Sequence, residues 1–147
     1  MADSFEKRLS LALAFLRLAL GAYLIVMSLE YFVDPVGALK VWNTIYPFKV
    51  TGSWIPIIGV SSLLLSILFI LGLFRPVTYA LVILLQFTQV LSNWKIVWMI
   101  NGGEWVDRIT LLFQTAGFPI LAAYFTLFLL RDADHWTFDG WFGRAKF

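Results

Sequence analysis

Five polar side chains stand inside runs that are otherwise hydrocarbon: Arg17 in "LAFLRLALGAYL", Gln86 and Gln89 in "ILLQFTQV", Gln114 in "LLFQTAGF" and Tyr124 in "LAAYFTLF". A guanidinium is planar, permanently charged and rich in donors. With carboxamides and a phenol at a similar depth it makes a site for an oxygen-bearing ring such as a quinone, whose carbonyl it would polarise. The same residues also admit a structural account. Placing an arginine in the middle of a bilayer costs about 2.5–3.5 kcal/mol on insertion scales, so Arg17 needs a partner of some kind. Its stem can snorkel to the headgroups, or its head can tie the first span to the carbonyl of Gln86. Buried amides, for their part, commonly join helices at about 0.6 kcal/mol each. If the pocket account holds, Arg17→Leu removes ligand binding and leaves the bundle assembled.

The elements that position these residues follow from the apolar runs. The chain has 147 residues, 61% hydrophobic, 18% aromatic and only 14% charged, too apolar for a soluble domain of this size. Crossing the hydrocarbon core takes about 20 apolar residues at 1.5 Å each. Four runs qualify, at about residues 9–32, 54–74, 77–99 and 109–130. The fold expected is all-α: one membrane-embedded four-helix domain over residues 1–147, with a short interfacial helix between the first two spans and an amphipathic C-terminal tail. The mixed charges of "MADSFEKR" and the length of the first apolar run argue against a cleaved signal peptide.

Small and polar residues mark an inner face on each span. They are Ser10, Ala14, Arg17, Gly21 and Ser28 on the first and Gly59, Ser62 and Ser66 on the second. The third has Gln86, Gln89 and Asn93, and the fourth Asp107, Thr110, Gln114, Gly117 and Tyr124. Arg17 sits about nine residues into its span, roughly 14 Å deep and close to mid-membrane. Glu30, Glu104 and Asp107 ring the outer layer, where salt bridges to Lys49, Lys95 or Arg108 are expected. Asp34 before Pro35 reads as a helix start, the carboxylate capping free N–H groups and proline taking the first turn. Gly72 and Pro76 bracket a tight turn that makes the second and third spans antiparallel neighbours, with Arg75 facing the headgroups. Pro119 is expected inside the fourth span as a kink. Trp94, Trp98 and Trp105 fit an outer aromatic belt, and His135 is expected in solvent.

Composition also excludes function classes. No cysteine is present, so thiol redox chemistry and thiolate metal ligation fall away. With a single histidine the chain cannot supply both ligands of an intramembrane haem. No metal or covalently held cofactor is expected, which leaves a quinone as the candidate ligand. A net charge of +2 suggests no nucleic-acid partner. Lys7, Arg8, Arg75, Arg131, Arg144 and Lys146 fall on one side of a four-span zigzag, against Lys40, Lys49, Lys95 and Arg108 on the other. That bias puts both termini in the cytoplasm. The expected location is a prokaryotic plasma membrane.

Four stretches in order, "FLRLALGAYLIVMSLEYFVDP", "GLFRPVTYALVILLQF", "NGGEW" and "TFDGWFGR", resemble the DoxX family of small four-helix membrane proteins, which includes the DoxD-type subunits. Arg17, Gly21, Gly72, Pro76 and Asp139 stand where the family's corresponding residues stand. Two departures are Tyr31 beside Glu30 where the family usually has a lysine, and no carboxylate in "SWIPIIGV" where one is frequent. The resemblance implies an accessory subunit of a larger redox or electron-transport complex, respiratory or photosynthetic, embedded among membrane lipids. Its alternatives are a quinone-reducing component, as in a thiosulfate:quinone oxidoreductase, and a small transporter or lipid-handling protein.

Overall fold

The structure is a computed structural model that describes residues 2–46, 48–99 and 117–137, with the backbone alone over 2–3, at 45 and over 92–99. Gln114, Glu104, Asp107, Thr110 and Trp105, the "NGGEW" stretch, Asp139 and the side chains of Asn93, Trp94 and Trp98 lie outside the described residues. The regular elements among the described residues are all helical. The helices are α1 (Ala2–Val33), α2 (Pro35–Ile45), α3 (Ile55–Leu71), α4 (Arg75–Met99) and α5 (Phe118–Leu129), with single 3-10 turns at Gly52–Trp54 and Arg131–Ala133. Two segments, Ser4–Val33 and Gly52–Leu71, are long and apolar enough to cross a membrane. Shorter apolar stretches occupy Arg75–Leu91 of α4 and Phe118–Leu129 of α5.

Local chemistry accounts for the boundaries. Helix α1 begins earlier than the apolar run, because "ADSFEKR" contains no glycine or proline to stop it. It ends at Asp34, whose carboxylate accepts a hydrogen bond from Gly37 N–H at 2.9 Å while Pro35 takes the first position of α2, as expected. Gly72 closes α3 in the left-handed conformation (φ 66°) and feeds its N–H back to the carbonyls of Leu68 and Phe69. Phe74, also at positive φ (51°), completes the turn into α4. Pro119 is not a mid-helix kink in the described chain: it lies in the first turn of α5, after Gly117 at φ 62°. A proline costs nothing there, since the first turn has no acceptor for its missing N–H.

The closest pairings are α1 with α3 and α4 with α5. Small residues let α1 and α3 approach. A Cβ on Gly59 would sit 2.9 Å from Tyr31 Cβ, and one on Gly21 would collide with Ile70. Ser28 Oγ meets Ser62 Oγ at 2.7 Å in the same seam. Ser10, Ala14, Arg17, Gly21 and Ser28 are all buried, so the inner face read from the spacing of α1 is the face that packs. The core beside it joins Leu13, Leu20 and Leu24 to Phe69, Tyr79, Val82, Tyr124 and Leu127. Phe69 stands edge-on to Tyr124 at 5.6 Å between ring centres. Outward, the helices carry apolar stripes: Leu11, Phe15 and Leu18 on α1, Ile57, Val60, Leu64 and Ile67 on α3, Val77, Leu81, Leu84 and Leu91 on α4, and Phe125 and Leu129 on α5.

Candidate functional site

The polar residues inside the bundle divide between its two ends. Where α1 begins and α5 finishes, the chain after α5 folds back over the bundle. Asp134 there is fully buried and ion-paired with Arg17, which is only 4% exposed. The second guanidinium nitrogen of Arg17 donates to the carbonyl of Trp136. Arg75 donates to the carbonyls of Arg131 at 2.7 Å and Asp134 at 3.0 Å, and Tyr79 Oη donates to the Asp134 carboxylate at 3.4 Å. His135 N–H donates to Ser10 Oγ at 3.1 Å, its side chain remaining exposed as expected. A short strap, Arg131–Thr137, is thereby fastened to α1 and α4 by charge and hydrogen bonds.

Two expectations change here. Arg17 does not meet Gln86: a carboxylate in the segment after α5 stabilises a guanidinium far better than an amide does, and the strap brings one within reach. Arg75 does not face the headgroups. It is 6% exposed, because the strap carbonyls left open by the 3-10 turn need donors. The clue in the sequence is "RDADHW", which places aspartates immediately after the last apolar run.

The four candidate residues that are described do not converge. Tyr124 Oη donates to the carbonyl of Leu20 at 3.0 Å and serves as a link between α5 and α1. Gln86 is 1% exposed and lies against Gly117, and neither its amide nitrogen nor its oxygen has a hydrogen-bond partner among the described residues. Gln114 lies outside the described residues. Gln89 lines a cavity.

That cavity, about 440 Å³, lies near the opposite end, between α1, α2, α3 and α4. Leu24, Met27, Val41 and Leu85 supply apolar wall. Tyr23, Tyr31, Trp42 and Tyr46 supply aromatic wall, and Glu30, Asp34 and Gln89 the polar groups. Trp42 and Tyr46 stack with ring centres 4.2 Å apart and planes 30° apart. The indole N–H of Trp42 donates to Phe48 O at 3.2 Å, while Asn43 exchanges two hydrogen bonds with Val50, so the segment after α2 is folded back onto it. Tyr23 lies next to the Gln89 side chain, and Glu30 is close enough to Tyr23 and Tyr31 to act on both electrostatically. The expected bridge from Glu30 to Lys49 is not formed. Lys49 instead donates to the carbonyl of Asn43, and Glu30 makes no ion pair among the described residues.

Sequence reasoning found Gln89 and Glu30 but not the aromatic wall. Tyr31, Trp42 and Tyr46 come together only when α2 turns back across the end of α1. Among the described residues no group of three histidines, cysteines or carboxylates is placed to hold a metal. A scan of protein-family models and searches of curated proteins and of solved structures returned no match for this chain.

Proposed function

We propose that this chain is a DoxX-like integral membrane subunit: a four-span bundle whose cavity between α1, α2 and α4 holds the headgroup of a membrane amphiphile, and whose role in a larger redox complex is accessory. The observation that carries the membrane reading is the inside-out polarity. Four helices expose apolar stripes while Arg17, Ser28, Gln86 and Asp134 are buried. Water would oppose such a surface over most of a monomer, whereas lipid favours it. On this reading α4 and the α5 region are the third and fourth spans, and both termini share one face of the membrane. Polar side chains spaced along an apolar wall, in a volume within the usual range for small-molecule sites, support the ligand reading.

Quinone is the second candidate ligand, favoured by Gln89 and Tyr23 side by side on an apolar wall, and it would make the chain the quinone-handling component of an oxidoreductase. Because the chain has no cysteine, single cysteines at Ser4, Lys49 and His135 can be labelled with an impermeant maleimide in intact cells and in inverted vesicles. Four spans require positions 4 and 135 to react from one side and 49 from the other. Purification in mild detergent tests the assignment to a complex. Stoichiometric recovery with a respiratory or photosynthetic assembly supports it; recovery as a lone species that passes solute in liposomes overturns it.

A further inference from the structure

We propose that the cavity selects a cation, namely an alkylammonium group such as choline or ethanolamine carries; the proposal rests on the cavity being a ligand site, as argued above. Four aromatic rings and two carboxylates line it, and among the described residues no lysine, arginine or histidine does. Glu30 is exposed and makes no ion pair among the described residues, so none of them neutralises its charge beside the cavity. Asp34 adds a second negative charge, its carboxylate held in place by Gly37 N–H.

The polar handle of Trp42 is already taken by Phe48, which leaves the indole to act through its ring, stacked on Tyr46. Ring faces are electron-rich and attract a cation placed over them, and an alkylammonium is the cation that suits them best, since its methyl groups or stem make dispersion contacts with the walls. An inorganic ion fits poorly, because two carboxylates and aromatic faces do not replace its water. A quinone fits less well than a cation for the opposite reason. Its carbonyls are electron-rich, they face the unpaired Glu30 charge, and the nearby amide and phenol of Gln89 and Tyr23 face each other. The same chemistry could come from a lipid headgroup or from a free alkylammonium solute.

The test uses the full chain in a non-ionic maltoside detergent, with binding followed by titration calorimetry. The probes are choline, its uncharged carbon isostere in which a tert-butyl group replaces the trimethylammonium, a short-chain phosphatidylcholine, and a short-chain ubiquinone. Choline is expected to bind saturably and at least tenfold more tightly than the isostere. Glu30→Gln, a change at an exposed position that leaves the fold intact, is expected to weaken choline at least tenfold, with Glu30→Asp recovering most of it. Trp42→Leu is expected to weaken it to a similar degree. Tighter binding of the phosphatidylcholine than of choline identifies a lipid as the source, and equal binding a solute; both outcomes support the cation site. If the isostere or the ubiquinone binds as tightly as choline, the cation proposal is overturned while the ligand pocket stands. If none of the four binds, both readings fall.

Discussion

Asp134→Ala is the most informative single change, because Asp134 is the only carboxylate among the described residues paired with the buried Arg17. Removing it leaves a guanidinium that is 4% exposed with only the neutral Trp136 carbonyl and Tyr79 hydroxyl beside it among the described residues, and takes away the carboxylate acceptor of that hydroxyl. Breaking a buried pair by deleting one partner typically costs about 3–5 kcal/mol, most of it the penalty for the charge left behind. At roughly 2–4 °C per kcal/mol for a chain of this length, the melting temperature in detergent should fall by about 6–20 °C. Asp134 also orders the strap through its own backbone carbonyl, which accepts from Arg75. Undocking should therefore expose the bond after Arg131 to trypsin, which makes limited proteolysis a second readout.

The double variant Arg17→Leu, Asp134→Leu separates pairing from packing. Arg17 Nε and Asp134 Oδ1 have no hydrogen-bond partner among the described residues even with the pair intact, so the pair is incompletely compensated and its net worth against two apolar side chains is near zero. The double variant should accordingly lie within about 1–2 kcal/mol of the parent, and with each single removal costing about 3–5 kcal/mol a double-mutant cycle should return a coupling of at least about 4 kcal/mol. If Asp134→Ala melts within about 2 °C of the parent and its strap resists trypsin unchanged, the reasoning that Arg17 is a structural cation fails, and a ligand-binding role for it regains force.

Other changes test single links. Gly72→Ala should cost about 2 kcal/mol or more by melting temperature, since a Cβ at φ 66° is strained and would lie 2.7 Å from Thr137 Cγ2; a loss under about 0.5 kcal/mol would show that the strap does not pack on this turn. Gln86→Leu should leave stability unchanged or raise it by up to about 1 kcal/mol, because it removes two buried polar atoms without partners; a loss above about 1 kcal/mol would mean that the amide is bonded in the folded protein. Asp34→Ala should destabilise by about 1 kcal/mol through loss of the α2 cap and Asp34→Ser should recover most of that, whereas equal melting of all three would remove the capping argument.

Periodicity alone identified much of the scaffold. The apolar runs located the helices, the small-residue spacing on α1 and α3 picked out the seam that Ser28 and Ser62 close, and Asp34-Pro35 and Gly72 marked the beginning of α2 and the end of α3. These signals are local: a capping carboxylate, a left-handed glycine and a helical face are each specified within a turn or two of chain. The partners of the charged residues were decided elsewhere. Arg17 and Asp134 are 117 positions apart, and nothing in the spacing of either segment says that the strap folds back instead of trailing into solvent. The cavity is a similar case. Tyr31, Trp42 and Tyr46 look like interfacial aromatics until the angle between α1 and α2 sets them around one space. A helix presents its residues by rotation and depth, which sequence reports well, but which of several equally polar groups meets a buried charge depends on how separate segments pack, and that is a property of the folded chain.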